Sequence, residues 1–210
     1  MLEQIDLPNA KCRILDHATE LFKQNGFAKV TVDDITSGLG MSKKTFYKHF
    51  TSKEDLVHQM VLRITGDMAG CIERVVQADE PFVTKLHGLV TALHTRFSRF
   101  TTPFLRDLQV HSPESWTYIQ EFRRTKILAV WGGLLEQGKR EGFVRADINS
   151  RLLLLSMVAI VESVVNPRTL AEESFSTHEA MQGIISMLFR VILTETAARQ
   201  LESLQLTQHS

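Results

Sequence analysis

Residues 31–50 read TVDDITSGLGMSKKTFYKHF, two short helical patterns joined by a turn. Thr31 is an N-cap candidate for the first, and Asp33 and Asp34 fall in its first turn, where the helix dipole favours negative charge. Val32, Ile35 and Leu39 face inward. Gly40 permits a sharp turn. Ser42 is placed to cap the second helix, and Phe46 and Phe50, four apart, anchor that helix to the core. Such a pair forms a helix-turn-helix, whose second helix must hold the core on one face and show polar, basic groups on the other. From Met41 to Lys53 the charged residues are Lys43, Lys44, Lys48 and Lys53, with no acid among them. A lysine run alone reads as a solvated face. Its coincidence with the second helix of a turn motif favours DNA instead. Ser42, Thr45, Tyr47 and His49 add hydrogen-bonding groups suited to phosphates or base edges.

Working outward, almost every other segment has helical spacing and none has sustained strand alternation. A helix is expected over about 9–25, with Ile14, Leu15, Ala18, Leu21 and Phe22 on one stripe and Asn25-Gly26 at its end. Ser52 and Asp55 resemble a capping box that opens a helix to about 76. Further helices are expected over about 82–100, to about 110, over 113–140, over 148–165 with Asp147 as its cap, and over 178–200 with Thr177 as its cap. The stretch between the last two reads as a polar loop. The fold class is all-α with about nine helices. It divides into a helix-turn-helix DNA-binding domain over residues 1–52 and a helical domain over 53–210.

Composition restricts the function. At 43% hydrophobic and 23% charged the chain can bury a substantial core. Its formal net charge of zero argues against a protein that coats nucleic acid everywhere, so a DNA-binding surface must be local. Cys12 and Cys71 are far apart and in no metal-ligand spacing, which fits a reducing cytoplasm. The first residues lack the basic flank and apolar core of a signal peptide. The most apolar run, Leu152 to Val161, is about half a membrane span. A cytoplasmic protein without a membrane partner is expected.

The residues 13–18 (RILDHA), Leu21-Phe22, Gly26-Phe27, 31–35 (TVDDI), 40–50 (GMSKKTFYKHF) and 52–56 (SKEDL) resemble the TetR family of bacterial repressors. Lys44 stands where the family often carries a small residue, and Thr36 where it usually has alanine. The resemblance implies that Thr31, Tyr47, His49 and Lys53 contact phosphates of double-stranded operator DNA. It implies that Lys43, Lys44 and Thr45 read base edges, and that Lys48 does either.

The remainder of the chain is too apolar for a linker. The helices over 148–165 and 178–200 are apolar nearly all round and must be buried on more than one side. One side can be their own domain and the other a partner subunit, which agrees with the homodimer that the resemblance implies. It also implies that the helices between 53 and 140 enclose a small-molecule effector. Candidate lining residues are Phe97, Phe100, Phe104, Trp116, Phe122 and Trp131, with His94, His111 and Tyr118 as polar handles. Gly132-Gly133 inside a helix costs about 1 kcal/mol per glycine against alanine, which a close helix approach or a kink would explain. Glu162 interrupts an apolar helix, as an interface ion-pair member or a solvent-facing position. The expected mechanism is a population shift in which effector binding lowers operator affinity through the helix that starts at Lys53.

Two other readings stand beside this one. An enzyme is disfavoured: residues 178–182 (HEAMQ) begin like a zinc-protease motif but place Gln182 where the second histidine must be, and no nucleophile elbow is present. No cofactor motif is found. A DNA-binding architectural or cell-division factor without an effector keeps the helix-turn-helix and replaces the ligand by a protein partner.

Overall fold

The computed structural model describes residues 7–97 and 101–207, without the side chains of residues 7–9, 94–97, 202 and 204–207. Phe100 therefore lies outside the described residues, as do the side chains of His94 and Phe97. Helices dominate: α1 (Leu7–Asn25), α2 (Val32–Gly38), α3 (Lys43–Tyr47), α4 (Lys53–Gln77), α5 (Phe82–Phe97), α6 (Thr102–His111), α7 (Pro113–Lys126), α8 (Gly132–Arg140), α9 (Ser150–Val164), α10 (Pro167–Glu172), α11 (Thr177–Ile192) and α12 (Glu195–Thr207). Among the described residues there is no strand beyond one isolated bridge. No helix among them is long and apolar enough to cross a membrane.

Packing divides the chain into two compact units, Met1–Ile64 with Arg99–Ile119, and Thr65–Ser98 with Gln120–Ser210. The first takes in more chain than residues 1–52, because α6 packs on α1 and holds the loop after it. Its core is aromatic: Phe22, Phe27, Phe46, Phe50 and Phe104 are all fully buried, joined by Ile14, Ile35 and Leu56. The rings of Phe22 and Phe104 meet that of Phe27 edge-on, with centroids 6.0 and 6.3 Å away. In the second unit, Leu86 and Leu89 of α5, Leu134 and Leu135 of α8, Val161 of α9 and Ile184 of α11 are buried.

Four local departures from the sequence reading have physical reasons. Asn149, not Asp147, caps α9, its side chain accepting from the Leu152 N–H. Asp147 is engaged elsewhere, accepting from both Nη2 and Nε of Arg145 at 2.6 and 3.1 Å. Ser176, not Thr177, caps α11, because Glu179 three residues on completes a reciprocal capping box with it. The expected polar loop holds α10, started by Asn166 and Pro167. The expected helix over 178–200 is broken at Leu193-Thr194. There the segment 143–145 takes up its backbone: Arg145 donates to the Ile192 carbonyl and Thr194 to that of Phe143, each at 3.0 Å.

The expected long helix over 113–140 contains a π-helical turn, Ile127–Trp131, directly before Gly132-Gly133. Neither glycine is required by a close approach. A Cβ on Gly132 would stand 3.7 Å from Leu154, an ordinary contact, and one on Gly133 would meet open space. The irregularity lies in the widened turn, a known cause of helix bending.

Candidate nucleic-acid interface

Local chemistry fixes the helix-turn-helix. The Thr31 hydroxyl accepts from the Asp34 N–H, and the Asp34 carboxylate accepts from the Thr31 N–H at 2.8 Å and its hydroxyl at 2.7 Å. These bonds, the hydroxyl's foremost, hold the Asp34 carboxyl below its ordinary range. Ser42 caps α3 by accepting from the Thr45 N–H, and its hydroxyl pairs with that of Thr45 at 3.0 Å. Ser52 accepts from the Asp55 N–H, while the Asp55 carboxylate reaches past it to the Thr51 N–H at 2.7 Å. The expected box at the start of α4 is thus shifted by one residue on its return bond.

The ten-residue stretch from Met41 to Phe50 presents most of its polar side chains outward. Lys43, Lys44 and Lys48 are exposed, and Tyr47 shows 54% of its surface to solvent. Phe46 beneath it is fully buried and holds the Tyr47 ring edge-on at 5.2 Å. Lys43 bonds Asp33 at 2.9 Å, which raises the affinity of its amine for a proton and ties α3 to the first turn of α2. The side chains of Lys44 and Lys48 make no hydrogen bond or ion pair with the described residues. His49 is half-buried and turns its Nε2 inward, so a phosphate bond from it would use Nδ1.

Lys53 stands differently. Its Nζ donates to the carbonyls of Phe27 at 3.0 Å, Ala28 at 3.4 Å and Val30 at 3.0 Å, and lies 5.8 Å from the Phe27 ring centroid. A lysine ammonium has three N–H groups, and these three carbonyls occupy them.

The same loop is gripped from α6. The buried Asp107 carboxylate accepts from the Ala28 N–H at 2.8 Å, and Thr101 donates to the Lys23 carbonyl at 3.3 Å. Phe104 and His111 meet the Phe27 ring. The α1–α2 loop is therefore fixed by the first residue of α4 on one hand and by α6 on the other. Sequence reasoning missed Asp107: it lies 79 residues from its partner, and nothing local distinguishes it from a surface acid.

The expected ligand-lining residues fall in both units. Phe104, His111, Trp116 and Tyr118 belong to the first, where Phe104 is core and Tyr118 stands edge-on to His58 at 6.3 Å. Phe122 and Trp131 belong to the second, where Trp131 is buried against Phe189 at 5.8 Å. The structure brings no group of ≥ 3 His, Cys, Asp or Glu side chains together around a metal position among the described residues.

Residues 14–60 match the family model described as bacterial regulatory proteins, tetR family. The HTH-type transcriptional regulator UidR of Escherichia coli K12 is 35% identical over 190 residues, 88% of this chain and 94% of that protein. The HTH-type transcriptional repressor KstR2 of Rhodococcus jostii RHA1 is 30% identical over 146 residues, 68% of this chain and 71% of that protein. Among solved structures, a TetR-family transcriptional regulator from Agrobacterium tumefaciens superposes with a TM-score of 0.68 over 90% of this chain and 100% of its own, at 16% identity.

Proposed function

Because the chain belongs to the TetR family of bacterial transcriptional regulators, we propose that it is a cytoplasmic homodimeric repressor released from its operator by a small molecule. The observation that carries the DNA half is the outward, acid-free face of the stretch from Met41 to Lys48. There Lys44, Tyr47 and Lys48 point to solvent over a fully buried Phe46. A major groove admits a helix of this size. In this reading Lys44, with Lys43 and Thr45 beside it, reads base edges. Tyr47, Lys48, His49 and the capping residues Thr31 and Ser42 meet the backbone.

Homodimerisation is supported by apolar side chains that a lone chain leaves in water. Leu152 and Leu155 on α9 and Met187 and Val191 on α11 are exposed, Leu152 to 64%. Each pair recurs at a helical step of three or four, so each helix carries a stripe rather than scattered apolar residues. Two copies, each offering these stripes, would bury them against one another and set the spacing of two recognition helices.

The grip of α6 on the α1–α2 loop supports the coupling. A ligand that favours another position of α6 or α4 would shift Asp107 and Lys53, and with them the loop that leads into α2. The operator-competent arrangement would then be less populated.

The test is a selection of bound fragments from the source genome, followed by a titration of the selected duplex. Tyr47→Ala is expected to abolish operator binding while the far-ultraviolet circular dichroism stays unchanged. Undiminished affinity would remove α3 from the interface. Operator affinity indifferent to every metabolite encoded nearby would favour instead an architectural DNA-binding factor without an effector.

A further inference from the structure

The loop Gly26–Val30 carries one exposed cation, Lys29, between residues whose carbonyls, and at Ala28 also the N–H, are held. The carbonyls of Phe27, Ala28 and Val30 converge on the Lys53 ammonium, and the Ala28 N–H is held by Asp107. Val30 is buried, which fixes the chain direction immediately after Lys29. Lys29 itself is exposed and makes no hydrogen bond or ion pair with the described residues. The acids at this segment are occupied: Asp33 binds Lys43, Asp34 binds Thr31 and Asp107 binds Ala28.

These facts bear on which lysine meets a phosphate. For Lys53 to do so, a phosphate oxygen would have to displace at least one of three carbonyls, and the loop would lose part of its support. Lys29 would break nothing. Its backbone is immobilised on both sides before any ligand arrives, so less ordering entropy is lost when a contact forms. We propose that Lys29, and not Lys53, is the side chain of this loop that contacts the DNA backbone, with Lys53 serving as the positioning residue that fixes the loop presenting it. This rests on the reading of α3 as the recognition helix.

The experiment uses the full-length protein, a fluorescent random-sequence DNA duplex, and the variants Lys29→Ala, Lys53→Arg and Lys53→Met. Arginine keeps the charge and can bind phosphate. Its planar fork cannot send three N–H groups to three converging carbonyls from one atom. Lys29→Ala is expected to keep the wild-type Tm and to lower the slope of log affinity against log salt by about 0.9. The weakening between about 50 and 200 mM salt should then shrink about 3.5-fold. Both Lys53 variants are expected to lower Tm by about 2–4 °C or more and to speed amide hydrogen exchange in the loop, in the absence of DNA. An unchanged slope in Lys29→Ala overturns the proposal. So does a Lys53→Arg protein with wild-type Tm and loop exchange. If the wild-type protein does not bind the duplex at all, the recognition-helix reading fails, and the Lys29 contact falls with it. The loop support from Lys53 is still judged by Tm and exchange.

Discussion

Gly26 has φ +73° and a hydrogen that faces the Asp107 carboxylate, so a Cβ there would run into Oδ2 of the acid that holds Ala28. Replacement by alanine is expected to cost about 1–3 kcal/mol, from left-handed strain and the displaced carboxylate together. A fall in the urea midpoint without a change in slope checks it. Asp34 and Glu179 supply a pH dependence at the same scale. Hydrogen bonds from Thr31 and Ser176, the hydroxyl's first in each case, hold these carboxyls below their ordinary values of 3.8 and 4.5. A group with a lowered folded pKa stabilises fully above its unfolded value and loses that contribution as pH falls through the folded one. Amide protection in the first turns of α2 and α11 is therefore expected to be intact at about pH 6 and to decline below about pH 4. Substituting Thr31 by valine should reduce that decline in α2 alone, because the backbone N–H of residue 31 still donates to Asp34. The resemblance placed Thr31 among phosphate contacts and residue type marked it as a cap; in the structure its hydroxyl serves the cap.

At the scale of elements, two glycines of one helix respond differently to the same change. A Cβ on Gly138 would come within 2.5 Å of Val144 and 2.7 Å of Phe82, where α8 packs on α5 and on the segment after it. Gly138→Ala is expected to destabilise by about 1–3 kcal/mol. Gly133→Ala meets open space and should stabilise by up to about 1 kcal/mol through helix propensity. Thermal unfolding of the two variants side by side separates packing from propensity. Arg123 illustrates another tie between elements. It is buried, donates to the Val165 carbonyl at the end of α9 at 3.1 Å, and has its pKa pushed down to about 10 by that burial. The charge of Glu162 opposes the shift. The acid that interrupts the apolar helix α9 thus acts on a buried cation inside its own chain.

For the whole molecule, α9 and α11 each leave a pair of large apolar side chains in water in a single copy. Leu152→Asp places a charge at the most exposed of these positions and should leave the fold of the chain intact, because a lone copy keeps that position in water. Sedimentation is expected to show a dimer for the wild type at micromolar concentration and a monomer for the variant, with operator affinity falling in parallel. A wild-type monomer would remove the paired half-site geometry from the proposed mechanism.

The helix-turn-helix was legible because its determinants are local. Thr31 and Ser42 cap helices three residues on, Phe46 and Phe50 share one face, and the lysines follow one another in the chain. The all-α class was legible for the same reason, through helical periodicity. Tertiary structure alone decided where partners are far apart in sequence. It brought Asp107 to Ala28 and Lys53 to the carbonyls of Phe27, Ala28 and Val30, and broke the last long helix by pairing 143–145 with 192–194. A hydrogen bond within one turn depends on residue type and spacing. One across the fold depends on where two helices meet, and periodicity carries no record of that.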